Sequence, residues 1–212
     1  NEENSAYNLA KGEKFQTPAL ALTYSQEGLS GASRNFHRWG RTYKLAHGNT
    51  PRKILLNSWE GVYFDINQAG MDQMMGDIAS MGGELFVMDD GWFGDKYPRN
   101  TDNSSLGDWT VDKRKLPEGI EGLLRDAKKH GVNFGIWIEP EMSNTTSELY
   151  EKHPDWILKA PEREPVLGRG GTQVVLDLAN PEVQDFIFQI VDNLMTSYPE
   201  IDYIKWDANM GI

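Results

Sequence analysis

From residue 53 onward, short apolar runs alternate with amphipathic segments of helical period, and this alternation restricts the fold more than any other feature of the sequence. The main apolar runs lie at residues 54–59, 85–91, 133–139 and 201–206, with a shorter run at 174–178. The amphipathic segments lie at residues 66–79, 117–130 and 180–194. Strands that are apolar on both faces are typical of a parallel sheet covered by helices. The alternation therefore predicts an α/β fold with a parallel sheet.

Two helix boundaries can be read directly from the residue types. Asn180 followed by Pro181 predicts the start of the third amphipathic helix, because Asn caps a helix well and Pro suits its first position. Gly131 predicts the end of the second helix, because glycine readily adopts the left-handed conformation that terminates helices. Met71, Met74 and Met75 have helical spacing and are predicted to be core residues.

Polar and acidic residues follow each main apolar run. They are Asn57, Ser58 and Glu60, then Asp89 and Asp90, then Glu139 and Glu141, and finally Asp207 and Asn209. Polar groups at the carboxyl ends of successive parallel strands are typical of the mouth of a (β/α)₈ barrel, or TIM barrel. A doubly wound sheet would concentrate them at one switch point, and the sequence has no GxGxxG or Walker loop. The pattern therefore favours the barrel.

The amount of chain is too small for a complete barrel. A (β/α)₈ barrel needs about 250 residues, whereas residues 53–212 contain four main strands. We therefore expect this segment to be the first half of a barrel, truncated after strand four. A half barrel exposes a sheet edge and apolar surface, so we expect a homo-oligomer or association through the half-barrel edges.

The first 52 residues have a different pattern. An apolar run at residues 19–24 predicts a short strand, and we interpret residues 1–27 as the tail of a β domain. A helix is predicted over residues 28–47, within a linker that extends to residue 52. Its apolar stripe consists of Leu29, Ala32, Phe36, Trp39 and Tyr43.

Composition excludes several classes of function. With 21 basic and 32 acidic residues the net charge is −11, which argues against binding to nucleic acid. No run approaches the roughly 18 consecutive apolar residues of a membrane span. Cysteine is absent, which excludes disulfides and thiol chemistry, and the four histidines lack the spacing of metal ligands. The best expectation for localisation is the cytoplasm or periplasm of a bacterium.

The adjacent acids Asp89 and Asp90 form the first candidate site. Neighbouring residues of a strand point in opposite directions, so only a bend at Gly91 would aim both carboxylates into one site. There they would accept hydrogen bonds from sugar hydroxyls. The alternative is a loop acid that caps the next element.

The segment 203–209 forms the second candidate site. Lys205, Asp207 and Asn209 share one face by the alternation of a strand. A cation and an amide beside a carboxylate would keep it ionised and oriented, as a carboxylate nucleophile requires. The alternative is a buried structural ion pair between Lys205 and Asp207.

Aromatic residues beside these acids favour a sugar ligand, since a sugar presents hydroxyls on an apolar ring face. The six aromatic residues are Trp59, Trp92, Phe93, Trp109, Trp137 and Trp206. Each of them alone could be core. Trp137 and Glu139 share a face of the third strand, and Glu139 and Glu141 could support basic residues. Arg169, in a glycine-rich segment, could reach a bound hydroxyl or carboxylate, or could face solvent.

Nine motifs in order resemble glycoside hydrolase family 36, the α-galactosidases of clan D. They are GEKFQTP, SRNFHRWGR, NSWEGVYFD, FVMDDGWFG, LGDWTVDKRKLPEGI, FGIWIEPEM, HPDWIL, QVVLDL and YIKWDAN. The resemblance implies an N-terminal β-sandwich, whose tail would be residues 1–27, then a barrel and a C-terminal β domain. It implies that Asp207 is the nucleophile and that Asp89 and Asp90 bind the galactose 4- and 6-hydroxyls. Further binding residues implied by the family are Trp137, Arg169, Lys205 and Asn209.

Two departures from the family pattern concern the site. The family commonly has Gly-Arg-Asn-Gln where this chain has Gly-Arg-Gly-Gly-Thr-Gln at residues 168–173, which affects the placement of Arg169. Met210 stands where the family commonly has Arg or Cys.

The resemblance implies a retaining, exo-acting α-galactosidase that works by double displacement without a cofactor. The acid/base of the family comes from a later strand, so we expect this chain alone to be inactive. Alternatives are galactosyl transfer, as in raffinose synthases, or action on α-N-acetylgalactosaminides. A metal-dependent barrel enzyme, with Asp89, Glu139 and Asp207 as Mg²⁺ ligands and Lys205 as base, belongs to another class. A binding or assembly role is a third alternative.

Overall fold

The computed structural model describes residues 8–209, and the chain divides into two compact units between Arg52 and Lys53. Among residues 8–52 of the first unit, helix α1 (Gly28–Tyr43) is the only helix or strand. It starts where the sequence predicts and stops four residues before position 47. Within the unit, Leu29, Phe36 and Tyr43 of its apolar stripe are exposed.

The strand predicted at residues 19–24 is not present in the described part of the first unit. A strand is stabilised by ladder hydrogen bonds to a neighbouring strand, and these residues have no strand beside them in the unit. Leu20, Leu22 and Tyr24 are largely exposed there. An apolar run alone is therefore not sufficient to form a strand.

The second unit contains six strands and five α-helices among its described residues. The strands are β1 (Leu55–Asn57), β2 (Leu85–Met88), β3 (Asn133–Ile138), β4 (Met142–Asn144), β5 (Gln173–Val175) and β6 (Ile201–Trp206). The helices are α2 (Trp59–Val62), α3 (Gln68–Ser80), α4 (Gly119–His130), α5 (Glu148–Lys152) and α6 (Pro181–Ser197), with a 3₁₀ turn at Pro154–Trp156.

A four-stranded parallel sheet forms the centre of this unit, which confirms the predicted α/β fold. Its strand order, β1-β2-β3-β6, follows the order of the chain. Phe86 pairs with Phe134 between β2 and β3, and Trp137 pairs with Lys205 between β3 and β6. All four predicted main strands are present.

A second, two-stranded sheet was not fully predicted. The apolar run at 174–178 contributes β5, and its antiparallel partner β4 follows directly after the third main strand. Met142 pairs with Val175, and Asn144 pairs with Gln173. Residues 142–144 carry only one apolar side chain, so their sequence does not show that they are buried.

The core lies between the sheet and three helices. Its buried members include Phe86, Met88, Phe134, Ile136 and Ile138 of the sheet, with Met71, Met75, Ile78, Ile120, Leu123, Ile190 and Leu194 of α3, α4 and α6. In α3 the buried positions are Met71, Met75 and Ile78, and Met74, also predicted to be core, is partly buried against them. The sheet and helices together place the carboxyl ends of the strands at one edge.

Both helix boundaries read from the sequence are present. The side chain of Asn180 accepts a hydrogen bond from the backbone N–H of Glu182 at 3.0 Å, and Pro181 is the first residue of α6. Gly131 follows α4 with φ of 73°, in the left-handed region. Among residues 8–209, no helix is long and apolar enough to cross a membrane.

Candidate active site

Polar side chains from three strands meet at the carboxyl edge of the parallel sheet. Nζ of Lys205 donates a hydrogen bond to Oδ2 of Asp89 at 2.7 Å, and Nδ2 of Asn57 donates to the same oxygen at 2.6 Å. The other oxygen, Oδ1, accepts the backbone N–H of Asp90 at 2.9 Å. Both oxygens of this nearly buried carboxylate therefore have partners. The sequence placed Lys205 beside Asp207, but its hydrogen bond goes to Asp89.

Asp90 faces a different cation from its neighbour. Arg99 donates to both of its oxygens, from Nε to Oδ1 at 2.9 Å and from Nη2 to Oδ2 at 2.7 Å. Arg99 is completely buried, and its remaining nitrogen donates to Oδ1 of Asn144 at 3.0 Å. Burial raises the pKa of Asp90 and Arg99 opposes this effect. The bend expected at Gly91 is present, with φ of 111°. Both oxygens of Asp90 accept hydrogen bonds from the buried Arg99.

Lys115 holds the backbone on both sides of this ion pair. Its Nζ donates to the carbonyl oxygens of Phe64, Gly91 and Arg99 at 2.9, 2.8 and 2.8 Å. Burial lowers the pKa of Lys115, because it disfavours the charged form, while Asp112 and Asp90 oppose this effect. Three carbonyl acceptors still use all three donors of an ammonium group. Lys115 thus fixes the backbone of the loop that follows Asp89 and Asp90.

Asp207 lies directly after β6 and beside β3. Its backbone N–H donates to the carbonyl of Ile138 at 2.9 Å, so the ladder between the two strands continues to this residue. Nε1 of Trp137 donates to Oδ2 of Asp207 at 3.0 Å. The side chain is half-buried. An indole donor therefore fixes one carboxylate oxygen of the predicted nucleophile.

The surroundings of Asp207 favour its ionised form. Burial by itself would raise the pKa of Asp207. Hydrogen bonds from Asn209 and Trp137, together with the positive charges of Lys205 and Arg169, outweigh this effect. The pKa of Asp207 consequently lies below its usual value, as a carboxylate nucleophile requires.

Arg169 is exposed and lies in a turn with φ of 39°, a strained conformation for a residue other than glycine. Its Nη1 donates to Oδ1 of Asp102 at 3.1 Å. Asp102 also lies 3.5 Å from Arg99. The guanidinium thus lies near enough to lower the pKa of Asp207, and in the structure its hydrogen bond goes to Asp102.

Trp137 is packed by other aromatic rings. Phe93 lies parallel to it at a centroid distance of 6.2 Å, and Trp109 lies 6.0 Å away. Nε1 of Trp92 donates to the carbonyl oxygen of Trp137 at 3.0 Å. Trp92 and Phe93 are completely buried, so they act as core that orients Trp137 rather than as exposed sugar platforms.

Trp206 and Trp59 differ from that buried group. Trp206 donates from Nε1 to Oε1 of Glu141 at 3.0 Å and is 45% exposed. Trp59 is half-buried and packs edge-on against Tyr63 and Phe64. The six aromatic residues therefore do not line one surface.

The acidic residues of the site are not arranged as metal ligands. In the described part of the chain, no group of three or more His, Asp or Glu residues is placed to hold a metal ion. Asp89 is hydrogen-bonded by Lys205, and the buried Glu139 accepts the backbone N–H of Asn209. The geometry gives no support to a Mg²⁺ site built from Asp89, Glu139 and Asp207.

Comparison with known proteins identifies the family of this chain. The family model described as Melibiase matches residues 14–212. The chain belongs to the melibiase family. It is similar to Alpha-galactosidase C of Emericella nidulans, with 45% identity over 100% of this chain and 29% of that protein. It is also similar to Alpha-galactosidase AgaA of Geobacillus stearothermophilus, with 46% identity over 95% of this chain and 27% of that protein.

Solved structures agree with the melibiase assignment. A variant of the family 36 α-galactosidase AgaA from Geobacillus stearothermophilus, in complex with 1-deoxygalactonojirimycin, superposes with a TM-score of 0.80 at 44% identity. The match covers 87% of this chain and 25% of that one. This melibiase chain thus spans less than a third of the length of the curated relatives named above.

Sequence reasoning missed two residues of the candidate site. Arg99 and Lys115 lie in irregular segments, with no periodicity that indicates burial. Their importance follows from contacts with Asp90, Asn144 and Gly91, which the sequence alone does not reveal.

Proposed function

We propose that this chain is the part of a retaining, exo-acting α-galactosidase that carries the nucleophile and galactose-binding side chains. The observation that supports this most is the environment of Asp207 in a member of the melibiase family. Trp137 fixes one of its oxygens at 3.0 Å, and the pKa of the carboxyl lies below its usual value. Related proteins over this segment are named α-galactosidases.

In the proposed reaction, Asp207 attacks the anomeric carbon of a terminal α-galactoside. One carboxylate oxygen forms an ester bond to this carbon as the glycosidic bond breaks. A second carboxylic acid, outside the described residues, gives its proton to the leaving oxygen and then activates the water that hydrolyses the ester. Retaining enzymes place the two carboxyl groups about 5–5.5 Å apart.

Asp89, Asp90 and Lys205 would bind the galactose hydroxyls. Asp89 and Lys205 form a fixed donor and acceptor pair at the strand ends. Arg99 uses two acceptor positions of Asp90. A carboxylate offers about four such positions, so Asp90 could still accept hydrogen bonds from a sugar. Trp137 is itself buried, so it would act beside the sugar through the indole N–H that it donates to Asp207, and Arg169 and Asn209 would complete the site.

The same proposal extends to the architecture. Four parallel strands in chain order, with helices between them, are what the first half of a (β/α)₈ barrel would contain. We assign residues 53–212 to this half, residues 28–52 to the linker and residues 1–27 to the tail of a β-sandwich. The division of the chain into two compact units between Arg52 and Lys53 supports the boundary before the half barrel.

Replacing Asp207 in the complete polypeptide tests the proposal. We expect Asp207→Ala to abolish release of nitrophenol from a chromogenic α-galactoside, since no nucleophile remains, and we expect azide to restore part of it. Asp202→Ala is the matched control, because Asp202 lies on the same strand and forms an exposed ion pair with Lys53. Turnover that persists in Asp207→Ala would refute the proposal.

The same assay separates the alternatives. Galactose as the main product indicates hydrolysis, whereas a new oligosaccharide formed with sucrose indicates transfer. A higher rate on an α-N-acetylgalactosaminide would reassign the substrate. Loss of activity in EDTA would support the metal-dependent alternative.

A further inference from the structure

Glu139 is the most deeply buried acid beside the proposed nucleophile. It is 1% exposed and lies one position after β3, next to the ladder bond between Asp207 and Ile138. Adjacent parallel strands point their paired side chains to the same side, so Glu139 and Asp207 are neighbours on the side of the sheet that carries Trp137 and Lys205. The proposed mechanism gives Glu139 no role.

One oxygen of Glu139 holds the backbone that follows Asp207. Its Oε1 accepts the backbone N–H of Asn209 at 2.9 Å. Asn209 is two residues after Asp207, and its side chain is one of the hydrogen-bond donors that lower the pKa of Asp207. A single acceptor on Glu139 therefore fixes the segment that carries both Asp207 and Asn209.

Among residues 8–209, Oε2 of Glu139 is buried without a hydrogen bond. An ionised carboxylate with an unsatisfied oxygen is costly in such a place, and a proton on Glu139 removes most of that cost. Burial raises the pKa of Glu139; Asn209 and Arg169 oppose this, and the charge of Asp207 adds to it.

The geometry points to Glu139 as a positioning residue for the nucleophile, which it holds in place as a neutral carboxyl group through the backbone N–H of Asn209. This inference rests on the proposed function, since it concerns how Asp207 is oriented for attack. The pKa values of the two neighbouring carboxyls are shifted in opposite directions, which favours the ionised form of Asp207 and the protonated form of Glu139.

Two substitutions of similar length test the inference in the complete polypeptide. Glu139→Gln keeps a neutral acceptor for the Asn209 N–H, whereas Glu139→Met fills the space without one. We expect Glu139→Gln to retain kcat. We expect Glu139→Met to lower kcat by about 10- to 100-fold with KM little changed, because a misplaced reacting group costs rate rather than binding.

The pH profile adds a readout that a purely structural role would not affect. The acid limb of kcat/KM reports the pKa of the free nucleophile. Replacing a neutral Glu139 by Gln leaves this limb in place. Replacing an ionised Glu139 would remove a negative charge beside Asp207 and move the limb to lower pH.

Each outcome gives a decision. Asp207→Ala with full activity would overturn the proposed function itself. Inactive Asp207→Ala together with unchanged Glu139→Met would overturn only the positioning role. A Glu139→Gln variant as impaired as Glu139→Met, or one whose acid limb moves to lower pH, would show that the charge of Glu139 matters and would also overturn the positioning role.

If Glu139→Met does not fold, the kcat and the acid limb of Glu139→Gln decide. Glu141→Gln, which alters the acid bonded to Trp206, serves as the control.

Discussion

At the scale of single residues, the site depends on which cation each acid contacts. Asp89 is hydrogen-bonded by Lys205 and Asp90 by Arg99, so two adjacent acids have separate partners. Within residues 8–209, Asp207 accepts a hydrogen bond from the indole of Trp137 and lies near positive charge without a direct ion pair.

We expect Lys205→Met to destabilise the protein more than Lys53→Met. Both lysines pair with an aspartate, but Asp89 is buried whereas Asp202 is exposed. Removing Lys205 leaves a buried carboxylate with one fewer donor. This should lower the free energy of unfolding by about 1–3 kcal/mol, less than for a fully buried pair because Lys205 is one-third exposed.

Lys53→Met removes only the exposed Lys53–Asp202 pair, so it should lower the free energy of unfolding by about 0–1 kcal/mol. Urea unfolding of the two variants under the same conditions measures the difference. Equal losses for the two variants would contradict the assignment of Lys205 to a buried partner.

At the scale of secondary structure, helix α6 shows how local sequence determines an element. Its start is fixed by the cap from Asn180 and by Pro181, and its buried face includes Val183, Ile190 and Leu194 as its spacing predicts. Strand β4 shows the opposite case, since its burial depends on pairing with residues about 30 positions later.

We expect Asn180→Ala to lower the free energy of unfolding by about 1 kcal/mol, because the N–H of Glu182 loses its acceptor. Asn193→Ala is the matched control. Asn193 is exposed within α6, where alanine has the higher helix propensity, so stability should stay the same or rise slightly. Thermal unfolding compares the two variants. A larger loss in Asn193→Ala would contradict the capping role.

At the scale of the whole molecule, the parallel sheet ends at β6. No other strand in the described residues pairs with the far side of β6. Beside it lies an apolar groove of about 440 Å³, lined by Leu178, Ile187, Phe188, Val191 and Trp206 with Glu141 and Gln184. Unpaired edges and exposed apolar grooves favour association.

We expect the 212-residue chain to self-associate, with a second copy covering this groove and the edge of β6. Phe188→Lys should shift the chain toward monomer, because Phe188 is 63% exposed in the groove and a charge there resists burial. Met81→Lys, at an exposed apolar position after α3, is the control and should leave association unchanged. Light scattering after size-exclusion chromatography measures the mass. A monomeric wild-type chain would contradict the expectation.

The sequence by itself determined the elements whose signals are local. The four parallel strands, the cap at Asn180 and the stop at Gly131 follow from periodicity and from residue types that act on neighbouring backbone. The alternation of side chains along a strand, which places Lys205 and Asp207 on one face, also follows from the local sequence. The resemblance to glycoside hydrolase family 36 likewise depended on motifs alone.

Only the tertiary structure decided the partners of the charged groups. Arg99 contacts Asp90 and Asn144, Lys115 contacts three separate carbonyls, and the buried Glu139 accepts the backbone N–H of Asn209. The energy of a charge depends on burial and on what lies within a few ångströms of it. Those neighbours come from other parts of the chain, so the local sequence does not predict them.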